Sequence, residues 1–282
     1  MNGKNKTFIF SGGLGNQMFQ YACCEELRHL GCDVEIDLSL YRRVRMHNGY
    51  ELDRIFRPDP PKYTRMSPLH DLMLRLDLKF SGERTLLKDK QRFIPPAELV
   101  SHPAKRLFGY WQSEEYFADV KDRIREVFTF REVDRANRDL AEEMRGKNSV
   151  SVHIRRGDYV GNGLYDCCCT EEYYRNAIRH LQTSLDAPVF YVFSDDPAWS
   201  AKFFESQDVR FETVDLNRGK NSFQDMFLMS QCRHNIIANS SFSWWGAYLN
   251  GNASKIVAAP KRWFNDDEFD YSHIVPKTWN KF

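Results

Sequence analysis

The sequence has no D-x-D triplet, no C-x-x-C pair, no G-x-x-x-x-G-K-[S/T] loop and no G-x-G-x-x-G fingerprint. The first absence disfavours a Mg²⁺ or Mn²⁺ site built on paired carboxylates, because the adjacent Asp195 and Asp196 need not converge on one cation. The second removes the usual zinc spacing, and the odd set of seven cysteines (Cys23, Cys24, Cys32, Cys167, Cys168, Cys169 and Cys232) reads as reduced thiols. The last two take weight from ATPase and dinucleotide-binding readings. No sign of charge dominates: 40 Lys+Arg stand against 39 Asp+Glu. A general electrostatic grip on nucleic acid or anionic lipid is therefore not expected. The opening MNGKNKTFIFSGG offers Lys4, Lys6 and only a short apolar run before its glycines. It predicts neither a signal peptide nor integral membrane association, and points to a cytoplasmic protein.

What is present is a globular composition, 42% hydrophobic and 28% charged, spread over 282 residues. At about 150 residues per domain this length suits two domains. Charge is locally uneven. Between Arg54 and Arg106 the chain carries twelve Lys/Arg and six Asp/Glu, bracketed by Pro58, Pro60, Pro61, Pro95 and Pro96. We read this segment as an irregular, basic, helical insertion.

The first half opens with a β-prone run at Thr7–Ser11, a glycine loop, a helical stretch Asn16–Leu30 and a second strand Asp33–Asp37. Helical spacing returns at Glu114–Phe128 and Arg131–Arg145. From residue 150 onward, strand runs at Val150–Ile154, Val189–Phe193, Val209–Val214, Asn235–Ala238 and Lys255–Ala259 alternate with helices starting near Thr170, Asp196, Ser222 and Ser241. Ser222-Phe-Gln-Asp225 resembles a capping box. Such alternation predicts an α/β fold with a parallel, doubly wound sheet. The expected junction lies near Gly146–Asn148, giving an N-terminal domain over 1–147 and a C-terminal one over 148–282.

Ligands of such sheets sit beyond the carboxyl ends of the strands. The segments leaving those ends are Arg155-Arg156-Gly157-Asp158, Ser194-Asp195-Asp196 and Asn239-Ser240-Ser241-Phe242. Two arginines at the mouth of a crevice call for an anionic partner. Guanidinium fits the oxygens of a diphosphate as a planar fork and keeps its charge at all relevant pH. His153 points away from the face filled by Val152 and Ile154, as either a hydrogen-bonded core residue or a site residue. Ser240 and Ser241 can cap the next helix, and the same helix terminus can receive phosphate. The loop Gly12-Gly-Leu-Gly15-Asn16 between strand and helix is a weaker anion signal of the same kind.

Three segments, FSGGLGNQMFQYA at 10–22, VHIRRGDYV at 152–160 and CRHNIIANSSFSWWGAYLN at 232–250, together resemble the bacterial α-1,2-fucosyltransferases of glycosyltransferase family 11. The resemblance implies a GT-B-like architecture, two Rossmann-like domains with parallel sheets facing across a cleft. It implies inverting transfer of L-fucose from GDP-β-L-fucose to the 2-hydroxyl of a terminal galactose in a glycan, with no metal or other cofactor. By the same resemblance Arg155 and Arg156 bind the diphosphate, Asp158 belongs to the same motif, and Gly15 and Asn16 face the donor from the first domain. Ser240, Ser241 and Phe242 match a phosphate-contacting turn, and Asp195 is a candidate for guanine or ribose contacts. Asp158 and His153 are the acid/base residues of the arginine motif, with Asp158 either a base or an orienting partner of an arginine. The N-terminal domain, 1–147, is expected to be the acceptor side and the C-terminal one, 148–282, to bind the GDP-sugar; the region 38–106, without a recognisable motif, is expected to set the acceptor. A non-catalytic nucleotide-sugar or glycan-binding module and a transferase using another GDP-sugar are the alternatives.

Overall fold

The computed structural model describes residues 5–43, 47–56, 62–63, 76, 78–79, 82–89, 92–268 and 270–282. The basic insertion expected between Arg54 and Arg106 lies largely outside the described residues. Contacts divide the chain into two compact units, Met1–Arg131 with Phe269–Ile274, and Glu132–Glu268 with Val275–Phe282.

The first unit is built on a parallel sheet in the order β3-β2-β1-β5-β4. Its strands are β1 (Asn5–Ile9), β2 (Asp33–Asp37), β3 (Lys62–Tyr63), β4 (Leu86–Lys88) and β5 (Arg106–Phe108). The helix Leu14–His29 follows β1 and is buried over most of its circumference. Gly31, at φ +83°, makes the left-handed turn that lets the chain leave it for β2. The expected Glu114–Phe128 helix is two pieces, a 3₁₀ segment Glu114–Val120 and an α-helix Lys121–Val127, with non-helical backbone at Phe117.

The second unit carries a parallel sheet in the order β11-β10-β9-β6-β7-β8. The strands are β6 (Ser149–Ile154), β7 (Val189–Ser194), β8 (Arg210–Val214), β9 (His234–Ile236), β10 (Val257–Ala259) and β11 (Asn280–Lys281). Alternation sorts its side chains into two cores. Val150, Val152, Ile154, Phe190 and Val192 pack on one face with Tyr173, Ile178, Leu181 and Phe204. Val189, Tyr191 and Phe193 pack on the other with Ala141, Met144, Leu228 and Met229. Each fully buried side chain of this size contributes about 1.5–3 kcal/mol of transfer free energy, so both faces must be covered.

Two expectations need correction. The division falls at Arg131/Glu132, ahead of Gly146–Asn148, because the helix Arg135–Arg145 covers β7 with Ala141 and Met144. Gln224 fastens the start of that helix, accepting from the Asp134 N–H and donating to Asp134 Oδ2, both at 2.8 Å. Ser222, in turn, is not a side-chain cap for the helix Phe223–Gln231. Its backbone is already helical at the end of the 3₁₀ turn Gly219–Asn221, so its hydroxyl is not positioned to receive an N–H. Thr170 and Asp196 do cap their helices, accepting from Tyr173 N–H at 3.2 Å and Trp199 N–H at 3.1 Å.

Candidate active site

β6 runs between β7 and β9, so its carboxyl end delivers Arg155 beside the residues leaving those two strands. Arg155 donates through Nη2 to Asp158 Oδ1 at 2.7 Å and through Nη1 to Asp195 Oδ2 at 3.0 Å. The other oxygen of Asp195 accepts the backbone N–H of Arg156 at 2.8 Å. Arg156 turns to the next carboxylate, Nε to Asp196 Oδ2 at 3.2 Å, and lays its guanidinium 4.2 Å over the Trp199 ring. A Cβ on Gly157 would lie 2.9 Å from Asp195 Oδ2, so the glycine is what allows this carboxylate to press against the loop.

These pairings differ in strength. The Asp158 side chain is 57% exposed and the Asp195 side chain 24%. An ion pair with one member in water is worth about 0–1 kcal/mol. A diphosphate, with more charge and more acceptor oxygens than a carboxylate, can therefore displace Asp158 at little cost, while Asp195, held by two donors, keeps the guanidinium aimed.

His153 is buried, its Nδ1 has no hydrogen-bond partner among the described residues, and its ring centroid is 5.9 Å from that of Phe242. Burial, reinforced by the Arg155 charge and opposed by Asp195, pushes its pKa down to about 4. It is thus a neutral imidazole in the physiological range.

The helix Ser241–Leu249 begins directly after β9. Ser240 occupies the cap position in extended geometry, but its hydroxyl makes no capping bond, correcting the expectation of a serine cap. The first-turn N–H groups of a helix have no partner within it, and here the cap residue's side chain does not take their place. The preceding turn is tied down through Asn239, which donates to the Trp263 carbonyl at 3.1 Å. Cys169 Sγ contacts Asn239 twice, accepting its N–H at 3.3 Å and approaching Oδ1 at 3.4 Å. Trp244 and Trp245 are fully buried core residues.

Gly15 and Asn16 belong to the first unit. Gly15 is buried in the first turn of Leu14–His29, and Asn16 Oδ1 accepts from Gln112 Nε2 at 2.7 Å. Sequence reasoning passed over Asp225, read there only as part of a cap. Its carboxyl accepts from Asn217 Nδ2 at 2.8 Å, and burial, with a further push from Asp215, raises its pKa to about 7. Asn217 leaves the carboxyl end of β8, so this group lies at the same edge of the sheet as the arginines.

Among known proteins, the family model described as glycosyl transferase family 11 matches residues 95–282, the stretch that holds both the arginine motif and the serine turn. The chain belongs to glycosyl transferase family 11. Family members similar to it over nearly the whole length include the alpha-1,2-colitosyltransferase of Escherichia coli, 35% identical over 95% of this chain and 96% of the relative. The O-antigen biosynthesis glycosyltransferase WbnK of Escherichia coli is 33% identical, with 90% and 93% covered. The family's GT-B-like fold is matched by the crystal structure of NodZ alpha-1,6-fucosyltransferase soaked with GDP-fucose, at TM-score 0.53 and 18% identity over 87% of this chain and 92% of that one. No helix among the described residues of this family 11 enzyme is long and apolar enough to cross a membrane.

Proposed function

We propose that this glycosyltransferase moves L-fucose from GDP-β-L-fucose to the 2-hydroxyl of a terminal galactose, with inversion and with no metal ion. The observation that carries the reading is Arg155, poised between Asp158 and Asp195 at the carboxyl end of β6 next to an uncapped helix terminus. In the reaction the acceptor oxygen bonds to the fucose anomeric carbon as the bond from that carbon to the β-phosphate oxygen breaks. The electron pair leaves with GDP, and the acceptor proton passes to a base or to solvent. Arg155, Arg156 and the helix terminus meet the charge that develops on the diphosphate, the role a cation has elsewhere.

Asp158 suits the proton acceptor better than His153. It is half exposed, and a phosphate on Arg155 would release it, whereas His153 is buried against Phe242 and weakly basic. Asp195 has both oxygens engaged by Arg155 and Arg156. For the guanine we therefore assign Asp225, whose half-buried carboxyl accepts from Asn217 Nδ2 and, as a carboxylate, has further acceptor capacity for the N–H donors of the base edge.

A second donor is favoured by one observation, the 35% identity to an alpha-1,2-colitosyltransferase. Colitose is fucose without its 3-hydroxyl, so the same GDP-binding residues would serve either sugar. A thermal-shift screen of GDP, GDP-fucose, GDP-colitose and UDP-galactose, followed by mass spectrometry of products on a galactose-terminated acceptor in EDTA, tests the reading. We expect stabilisation by the GDP compounds, about 2.7 kcal/mol at 100-fold over Kd, and a fucosylated product. Equal stabilisation by UDP-galactose overturns the donor; loss of turnover in EDTA restored by Mn²⁺ overturns the metal-free step; transfer from GDP-colitose alone selects the second sugar.

A further inference from the structure

The first unit has its own built-up carboxyl edge, where the loops after the neighbouring strands β1 and β5 meet. The loop after β5 is held in an unfavourable shape. Trp111 adopts φ +54°, a left-handed backbone that a bulky side chain avoids, and Gly109 adopts φ +156° with Asp89 Cβ filling the space where a side chain would go. Asp89 Oδ2 clamps the turn from beneath, accepting the N–H of Tyr110 at 3.2 Å and of Trp111 at 2.9 Å. The Trp111 ring is driven into the core against Phe8 and Tyr116, where its Nε1–H has no partner among the described residues. A packing residue could fill that core without the strain or the orphaned N–H. Strain of this kind persists where the surroundings impose it, and it concentrates at binding and catalytic sites.

What the anchor achieves is the placement of its two neighbours. With Trp111 buried, Tyr110 and Gln112 are left half-buried at the edge, and Gln112 Nε2 reaches Asn16 Oδ1 at 2.7 Å. The three side chains converge near Gly12, at φ +82°, on which a Cβ would lie 2.7 Å from Asn16 Nδ2 and 3.0 Å from the Tyr110 ring. Gln20 stitches the two loops together, donating to the Gly109 carbonyl at 2.8 Å.

Two carboxamides and a phenol form a neutral set, in contrast to the paired arginines of the second unit. Such a set suits a polyhydroxylated, uncharged ligand: each amide donates and accepts, as sugar hydroxyls do, and a ring can cover an apolar sugar face. We propose that Asn16, Tyr110 and Gln112, set by the Asp89-clamped turn at Trp111, form the subsite for the acceptor sugar. This rests on the transferase reading above, moves Asn16 from the donor to the acceptor, and places acceptor recognition outside 38–106.

The test measures Gln112→Ala and the milder Asn16→Ser in two ways. In steady-state transfer, each substitution should raise KM for a galactose-terminated acceptor about tenfold while KM for the GDP-sugar stays within twofold. In saturation-transfer NMR with lactose and no donor present, the wild-type protein should give a signal that both variants lose. Unchanged acceptor KM, or an equal rise in donor KM, overturns the assignment. The NMR arm stands even if the donor has been misidentified, because it needs no turnover: lactose binding equal in wild type and variants, or absent from wild type, overturns the subsite and leaves the donor reading untouched.

Discussion

Arg155 and Asp195 are joined at 3.0 Å, and the same carboxylate holds the Arg156 N–H at 2.8 Å. One acidic side chain thus fixes both the charged head of the first arginine and the backbone of the second. The pair sets the direction in which the guanidinium fork faces.

On the proposed reading, replacing Arg155 by Ala removes a donor aimed at developing charge, which elsewhere is worth about 2.7–4 kcal/mol. Steady-state assays of Arg155→Ala should show kcat lower by about 10²- to 10³-fold. Arg155→Lys should fall between this variant and wild type, because an ammonium gives one point charge where the fork gives two parallel bonds. Wild-type turnover in Arg155→Ala would remove the residue from the reaction.

Gly157→Ala inserts a methyl group at 2.9 Å from Asp195 Oδ2 and must push that carboxylate away from Arg155. The backbone of Gly157 lies outside the left-handed region, so alanine itself is not strained there. The expected outcome is a melting temperature within a few degrees of wild type, together with a donor KM about tenfold higher, or about 1.4 kcal/mol. An unchanged donor KM would show that Asp195 does not aim the arginine.

Asp158→Asn keeps the size of the side chain and removes its charge. If Asp158 takes the acceptor proton, transfer collapses while GDP-fucose binding, followed by calorimetry, survives. If it only orients Arg155, binding and transfer fall together. Unaltered transfer excludes both roles.

Asp225 gives the fold a pH dependence. Its folded pKa of about 7 stands above the ordinary value of 3.8, so between the two the folded state binds more protons than the unfolded chain. Stability from this group is therefore complete below about pH 4 and declines as the pH rises through 7, by an amount on the order of a few kcal/mol. Denaturant melts of wild type and Asp225→Asn at pH 5 and pH 8 check this. The wild type should lose more stability than the variant between the two, and parallel losses would contradict it.

The chemistry at the carboxyl ends of β6, β7 and β9 was readable because it sits in contiguous motifs directly behind β-prone runs. The arginines, Asp158, Asp195 and the serine turn all lie where that pattern puts them. Strands β3, β4, β5 and β11 span only two or three residues, too few for alternation to register. They exist by pairing with β2, β5, β1 and β10. Asp225 was hidden because its role depends on burial and on Asn217, eight positions earlier across a turn. Arg156 stacking on Trp199 and Gln112 reaching Asn16 are likewise contacts between distant segments, about which local spacing is silent. Ser222 misled because the residues before it already coil into a 3₁₀ turn.

The place where the chain passes between its units also governs how the protein can be taken apart. A polypeptide cut at Asn148 would lack the helix Arg135–Arg145 and, with Ala141 and Met144 gone, would leave Val189, Tyr191 and Phe193 covered only in part, by Leu228 and Met229, an apolar patch that invites self-association. Cutting at Glu132 keeps that cover. The excision is still not a single snip, since residues 269–274 fold with the first unit and Val275–Phe282 returns to supply β11. Anyone isolating the arginine-bearing half must therefore bridge a short internal gap as well as choose a start.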